Sequence, residues 1–180
     1  MSDIELYAKN ISDSQNGVNL FQSAIFIGSL LVGYFSSCKA LLDACAITLS
    51  DVYNLDLTNK QKDFSNKIFW KKLEPIGISV YGRYTPLKQF FKEIINWRDS
   101  ALHRITPLVI VHSPDDPDKT SIEKQSIKVA SQIDTDISTA VNNPKKVEWV
   151  EPTYYHTKWQ SMLINLCGEI CLDIRSQTIQ

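Results

Sequence analysis

The sequence lacks a surplus of charge of either sign. Its 19 Lys and Arg residues stand against 20 Asp and Glu residues, which gives a formal net charge of −1. A protein that gathers nucleic acid over its whole surface needs a strong positive field, because the phosphate backbone is a polyanion. Any site for a polyanion must therefore be local.

The short motifs of several large enzyme classes are missing as well. There is no glycine-rich loop to cradle a phosphate, no nucleophile elbow and no clear metal-ligand spacing. The four cysteines form two pairs, Cys38 with Cys45 and Cys167 with Cys171, and each spacing places the pair on one helix face. Such pairs are more typical of buried thiols in a reduced protein than of a four-cysteine zinc site. We expect no disulfide framework, no metal and no cofactor.

No apolar run reaches the length of a membrane-spanning helix. The longest, Ala24 to Phe35, holds twelve residues against the roughly twenty that cross a bilayer. The first residues, "MSDIELYAKN", lack the basic-then-apolar order of a secretory signal. We therefore expect a cytoplasmic protein without membrane contact, although the neighbouring Leu20 and Phe21 leave a membrane-spanning alternative open.

What the sequence does contain is enough apolar material for one core. Hydrophobic residues make up 43% of the 180 positions, and this length does not require a second domain. Acidic residues and prolines cluster in "HSPDDPDKTS", which marks a long surface loop. We predict one domain over residues 1–180, with an insertion at about residues 112–152.

Apolar residues at three- and four-residue spacings predict four strong helices. These helices cover about residues 18–53, 58–72, 85–105 and 153–174. Thr85 is the expected N-cap of the third helix, after a loop over residues 77–84. The spacing also places Ile25 and Ile68 on buried faces.

The insertion allows two interpretations. Thr120 with Glu123 matches a capping box and predicts a helix, whereas the alternation of Ile127 and Val129 predicts a strand. "KKVEWVEP" predicts a short strand or an extended arm. Together these patterns predict an all-α fold, an antiparallel helical bundle with a loop or extended segment inserted before the last helix.

The third predicted helix carries a group of polar residues in "RDSALH", from Arg98 to His103. Asp99 and His103 nearly stack, whereas Arg98 and His103 lie about 140° apart around a regular helix. One helix therefore does not aim both Arg98 and His103 at one atom. The alternatives are a distortion near Pro107 or a second subunit whose equivalent helix faces the first across a two-fold axis.

Arginine and histidine together suit the chemistry of a phosphodiester. A guanidinium binds two non-bridging oxygens, and an imidazole takes or gives a proton near neutral pH without a metal. The surrounding segment is locally basic, and its remaining cations are candidate RNA contacts: Arg83, Lys88, Lys92 and Arg104. An ion-pair cluster on a solvated helix face explains the same residues without any catalytic role.

An Arg followed by a polar residue, three more residues and a His, placed near the end of a bundle helix, resembles the signature of the HEPN family. The earlier stretch "CKALLDACAITLSDVYNL" is similar to an early helix of several bacterial members. The resemblance covers much of residues 18–110 and the closing helix. It implies a helical bundle that forms a homodimer with the motif helices facing each other.

Active members of that family are metal-independent ribonucleases, often toxins or antiviral defence effectors that cut RNA. The resemblance implies that Arg98 binds the phosphate, that His103 is the acid or base and that Asp99 is the polar residue beside them. It also implies an antitoxin or a defence-system partner. The alternative is a HEPN-like module without catalysis, which dimerises and binds a partner protein, a nucleotide or RNA. The net charge of −1 suits that module somewhat better.

Overall fold

The longest helix, α1, runs over Gly17–Val52 in a computed structural model that describes residues 17–103, 109–112, 126–133 and 137–178. The absence of proline from this stretch allows an unbroken hydrogen-bond ladder, and the prediction of one helix over residues 18–53 is confirmed. The predicted buried face of α1 is partly wrong. Ile25, which was predicted to be buried, is 58% exposed, and the nearby Ile27 is fully buried instead.

By their internal contacts, the residues fall into two compact units, each assembled from separate stretches of chain. Unit one contains residues 1–34 and 99–158, and unit two contains residues 35–98 and 159–180. The boundaries fall within three helices, so each of these helices contributes to both units. The prediction of a single domain over residues 1–180 stays a prediction.

Aromatic side chains form the core of unit two. The ring of Phe35 lies 5.2 Å from that of Trp97 and 5.5 Å from that of Trp159, measured between centroids. A second group centres on Phe64, whose ring stacks on Phe91 at 4.2 Å. Large rings bury much apolar area at a small cost in side-chain entropy, and these contacts hold four chain segments together.

The second predicted helix is shorter than its pattern indicated. Its expected range, residues 58–72, divides into a 3₁₀ turn at Asn59–Gln61 and the helix α2 at Lys67–Leu73. The side chain of Asn66 accepts a hydrogen bond from the Ile68 N–H at 2.9 Å and caps α2. Ile68 is 43% exposed, so its predicted inward placement is wrong.

The predicted loop over residues 77–84 is wrong. Gly77, at φ 128°, turns the chain, and a helix α3 follows at Ile78–Tyr84. Thr85 is not an N-cap, because it has helical dihedral angles and its hydroxyl donates to the carbonyl of Tyr81 at 2.7 Å. After a 3₁₀ turn at Thr85–Leu87, the helix α4 occupies Lys88–His103.

A small antiparallel sheet lies in unit one. It has the strand order β1 at Val109–His112, β2 at Ser126–Ala130 and β3 at Trp149–Val150. The strand interpretation of Ile127 and Val129 is thus confirmed over the helical one, because alternate residues of β2 point to a buried face. Val129 pairs with Val109 on one side and with Val150 on the other. Thr120 and Glu123 lie outside the described residues.

The chain closes with a short helix, α5, at Ile137–Asn142 and a long one, α6, at Tyr154–Thr178. As predicted, α6 buries Trp159, Leu163, Leu166 and Ile170. The molecule is mostly helical, which confirms the predicted class at its coarse level. Of the short strand or extended arm predicted in "KKVEWVEP", Trp149–Val150 form the strand β3, whereas the stretch begins in a 3₁₀ turn at Pro144–Lys146.

Candidate functional site

The three residues of the predicted catalytic motif share the last turns of α4. Arg98 is half-buried and Asp99 is exposed, and the backbone is helical through His103. Arg98 belongs to unit two, whereas Asp99 and His103 belong to unit one. The side chain of His103 lies outside the described residues, so the meeting of Arg98 and His103 at one atom stays a prediction.

Packing on the apolar side of α4 fixes the backbone that carries Arg98. Ile94 is fully buried, and the adjacent Trp97 is 5% exposed with its ring against Phe35. A helix held by large buried side chains restricts the rotation of the residues beside them. The local sequence thus places Arg98 next to a rigid core position.

Arg83, a predicted RNA contact, is engaged inside unit two. Its guanidinium donates to Asp173 and, at 3.4 Å, to Glu169. Burial lowers the pKa of Arg83, but the Asp173 carboxylate outweighs it, so the pKa ends above its ordinary value. The guanidinium is therefore a fixed cation in an internal pair.

The carboxylate that holds Arg83 is itself almost completely buried. Asp173 is 1% exposed and also accepts a hydrogen bond from the hydroxyl of Tyr84. Burial raises the pKa of Tyr84, and the neighbouring Asp173 raises it further. Tyr84 therefore stays a neutral donor, and the buried charge of Asp173 is compensated by two partners.

Lys88, another predicted RNA contact, lies against two aromatic rings. Its ammonium nitrogen is 4.3 Å from the ring centroid of Trp70 and 4.9 Å from that of Tyr81. The same nitrogen donates to the Tyr81 hydroxyl at 3.1 Å. Lys88 thus stabilises α4 on the aromatic core through cation–π contacts.

The other two predicted RNA contacts have different positions. Lys92 is exposed on α4, one turn after Lys88. Arg104 lies outside the described residues. Of the four predicted cations, two are therefore engaged with neighbouring side chains and one is exposed to solvent.

Two carboxylates that the sequence analysis did not single out are Asp173, the partner of Arg83, and Asp63, a partner of Lys39. Asp173 follows the spacing of Trp159, Leu166 and Ile170 on the buried face of α6, and this spacing could have revealed it. Lys39 is 9% exposed and binds Asp43 and, at 3.1 Å, Asp63.

The pair of Lys39 with Asp63 links α1 to a loop distant in sequence. No local spacing predicts such a contact, because the two partners lie in different segments of the chain. The pairing explains why a lysine is tolerated on an inner face of α1.

Within the described parts of the chain, no group of three or more His, Cys, Asp or Glu side chains has the geometry to hold a metal ion. One helix, over Gln22–Val52, is long and apolar enough to cross a membrane by length and composition. The core helix of a soluble protein meets the same criterion. The expectation that the chain has no membrane contact stays a prediction.

No family model, no curated protein and no solved structure matches this chain. The resemblance to the HEPN family therefore depends on the sequence alone, on the motif at Arg98 to His103 and on the earlier stretch that begins at Cys38.

Proposed function

We propose that this chain is a metal-independent endoribonuclease of HEPN type, with Arg98 and His103 as its catalytic groups. The observation that carries the proposal is the continuous helix of Lys88–His103, whose last turns contain both residues and in which Arg98 follows the buried Trp97. Buried neighbours hold this part of the helix in place, and a pre-positioned guanidinium is what charge stabilisation in a transition state needs.

In the proposed reaction, Arg98 binds two non-bridging oxygens of the scissile phosphate. His103 takes the proton from the ribose 2′-hydroxyl or delivers one to the leaving 5′-oxygen. The attack of the 2′-oxygen on phosphorus breaks the bond to the 5′-oxygen and leaves a 2′,3′-cyclic phosphate and a 5′-hydroxyl. Neither step consumes a metal or another cofactor.

Arg98 and His103 lie about 140° apart on a regular helix. In the proposed homodimer, the Arg98 and His103 residues of both copies line one cleft, two of each kind. The proposal includes an antiparallel bundle in which the motif helices of the two copies face each other. It also includes an RNA substrate and a role as a toxin or antiviral effector in the cytoplasm. The proposed partner is an antitoxin or another protein of a defence system.

The test is cleavage of total RNA and labelled transfer RNA in EDTA by wild type and by His103→Ala. We expect wild type alone to produce fragments with cyclic phosphate ends, while the variant keeps the wild-type unfolding curve. Asn96→Ala is the matched control, because Asn96 is an exposed residue of the same helix. Cleavage by His103→Ala, or cleavage that needs a divalent ion, contradicts the proposal.

Light scattering at micromolar concentration tests the composite site separately. The dimer predicts twice the mass of one chain. If a monomer still cuts RNA, the hypothesis of a cleft shared by two copies is wrong, whereas the proposed role of His103 is unaffected.

A second candidate function is a HEPN-like module that binds RNA, a nucleotide or a partner protein without cutting. The engagement of Arg83 by Asp173 and of Lys88 by Trp70 favours it, since two predicted phosphate contacts already have internal partners. Intact RNA that is retained on a filter by both wild type and His103→Ala in EDTA supports this function over the nuclease.

A further inference from the structure

The helix α2 exposes a group of lysines that the proposed catalytic chemistry does not use. Its seven residues, "KIFWKKL", include three lysines and no acid. At about 100° per residue, Lys67, Lys71 and Lys72 fall within an arc of about 140° around the helix axis. All three are exposed, and so is Ile68, which lies within the same arc. These three lysines form the α2 basic face.

The opposite face of α2 fixes the helix in the core of unit two. Phe69 and Leu73 are fully buried, and Trp70 is 9% exposed. The ring of Trp70 stacks on that of Phe91 on α4 at 6.2 Å, and its indole N–H donates to the carbonyl of Phe64 at 2.7 Å. Because close packing restricts the motion of a helix, the three lysines stand on a fixed surface beside α4.

The charges of the α2 basic face are poorly balanced by their neighbours. Lys67 and Lys71 lie four residues apart, a spacing at which like charges destabilise a helix. Within the described parts of the chain, neither of them forms an ion pair, and Glu74, which follows α2 directly, pairs with none of the three lysines. Lys72 lies 4.0 Å from Asp56, whose carboxylate is fully exposed, and such a contact is screened by solvent and salt. The face therefore has a surplus of positive charge.

We propose that the α2 basic face binds the phosphate backbone of the RNA substrate. Three ammonium groups on one side of a helix complement a chain of phosphates, because each of them can bind one phosphate and release its counterion. This inference rests on the proposed function, since RNA is the polyanion that the proposed function supplies.

The position of α2 on α4 connects this face with the proposed catalytic residue Arg98. Phe91, against which α2 packs, precedes Arg98 by seven residues, which is about 10 Å along α4. Seven residues are close to two full turns, so Phe91 and Arg98 lie on the same side of the helix. Both belong to unit two, as α2 does. An RNA strand that is bound at Arg98 can therefore continue towards the α2 basic face.

A negatively charged membrane surface also attracts lysines, but the burial pattern of α2 argues against it. A helix in a membrane interface inserts its large apolar side chains into the lipid. Phe69, Trp70 and Leu73 are buried in the protein core instead. Among the seven residues of α2, Ile68 is the one exposed apolar side chain. Contact with phosphates without insertion therefore fits the face better.

The test compares two pairs of adjacent lysines in the full chain with the cleavage-deficient substitution His103→Ala as the parent. The α2 double variant combines Lys71→Gln with Lys72→Gln. The control double variant combines Lys145→Gln with Lys146→Gln, two exposed residues of a 3₁₀ turn in unit one. Both variants change the net charge equally, so the field of the whole protein is matched. Fluorescence anisotropy of a labelled oligouridylate in EDTA, at several KCl concentrations, measures affinity and salt dependence.

The α2 double variant is expected to bind this RNA about 10–30-fold more weakly than its parent at roughly 0.1 M salt. The slope of log affinity against log salt should become shallower by about 1.4, because each phosphate contact with a single strand contributes about 0.7. The addition of Lys67→Gln should remove a further step of about 0.7. The control double variant should keep the affinity and slope of the parent, and so should Lys71→Arg with Lys72→Arg, which keeps both charges. Urea denaturation establishes that each variant is folded.

Four results overturn the inference. Equal losses in the two double variants identify net charge as the cause, and parental affinity in the α2 double variant shows that its lysines do not bind RNA. The third result is a parent that does not bind RNA at all. The fourth is a parent that binds phosphatidylserine vesicles through the α2 lysines more tightly than it binds RNA.

These outcomes are distinct from those of the cleavage test. If wild type cuts RNA and the α2 double variant keeps the affinity of its parent, the ribonuclease stands and the inference about α2 is wrong. If wild type leaves RNA intact and the α2 lysines still determine the affinity, the ribonuclease is wrong and the α2 basic face belongs to the RNA-binding module.

Discussion

The two halves of the basic segment between Arg83 and Arg104 differ in what surrounds their cations. In the first half, Arg83 is paired with buried Asp173, and Lys88 lies 4.3 Å from the Trp70 ring. In the second half, Lys92 is exposed and Arg98 is half-buried near the end of α4. The sequence shows only a run of positive charge, and the structure divides it into the internal cations Arg83 and Lys88 and the outward cation Lys92.

The difference has an energetic meaning for RNA binding. A cation that leaves a buried carboxylate exposes that carboxylate to an uncompensated desolvation penalty of about 3–5 kcal/mol. The binding free energy gained from one phosphate contact at the surface is much smaller than this penalty at physiological salt. Arg83 is therefore not expected to bind a phosphate, and substitutions in the two halves of the segment should separate RNA cleavage from stability.

The largest expected effect is that of Arg98→Ala on RNA cleavage. Loss of a charge-stabilising donor lowers the turnover rate by about 10²–10³-fold. Initial rates of cyclic phosphate formation measure this loss, and Gln89→Ala, an exposed position of the same helix, is the control. A wild-type rate in Arg98→Ala places the chemistry elsewhere.

Asp173→Ala is expected to give the largest loss of stability. It leaves Arg83 and the Tyr84 hydroxyl without their shared acceptor, and the free energy of unfolding should fall by about 3 kcal/mol. Urea denaturation measures the change. The matched variant Glu169→Gln removes the more exposed partner of Arg83 and should cost less than about 1 kcal/mol. Equal effects of the two variants would show that the burial of Asp173 is unimportant.

The pair of Asp63 and Lys39 is a second internal ion pair, and its contribution to stability should depend on pH. Burial acts to raise the pKa of Asp63, but hydrogen bonds from Ser65 and the charge and hydrogen bond of Lys39 outweigh it, so the pKa lies below its ordinary value of 3.8. A carboxyl with a lowered folded-state pKa stabilises the fold above its unfolded pKa. That contribution is lost as the pH falls through the folded pKa.

We therefore expect Asp63→Asn to lower the free energy of unfolding by roughly 1 kcal/mol at pH 7 and by less at pH 3. Urea denaturation at both pH values measures the difference. Asp56→Asn is the control, because Asp56 is fully exposed and 4.0 Å from Lys72. A loss of stability in Asp63→Asn that is the same at both pH values excludes the ion pair as its cause.

Sequence periodicity predicted the long elements well, and the reason is geometric. α1 and α6 contain many helical turns, so the apolar spacing repeats often enough to define both the helix and most of its buried face. Short elements repeat too few times for this. The helix Ile78–Tyr84 was therefore predicted as a loop, and the predicted helix of residues 58–72 lost its first half.

The local motif was predictable, but its charged surroundings were not. Arg98 and His103 stand close in sequence, so a helix was sufficient to relate them. The partners of Arg83 lie on α6, at the other end of the chain, and local spacing contains no information on such pairs. Only the buried spacing of α6 indicated that Asp173 needs a partner, and it did not indicate which one.

The smallest effects distinguish Lys88 from Lys92, which lie one turn apart on α4. Lys88→Met removes the cation–π contacts with Trp70 and Tyr81 and should lower the free energy of unfolding by about 0.5–1 kcal/mol. Lys92→Met changes an exposed side chain and should alter the free energy of unfolding by less than about 0.5 kcal/mol.

RNA affinity should show the opposite order, with a larger loss in Lys92→Met than in Lys88→Met, because an exposed ammonium releases about one counterion when it binds a phosphate. Urea denaturation and filter binding at several salt concentrations measure the two quantities. If Lys88→Met weakens RNA binding more than Lys92→Met does, the contacts of Lys88 with the aromatic rings do not exclude a phosphate, and the division of the basic segment into internal and outward cations fails.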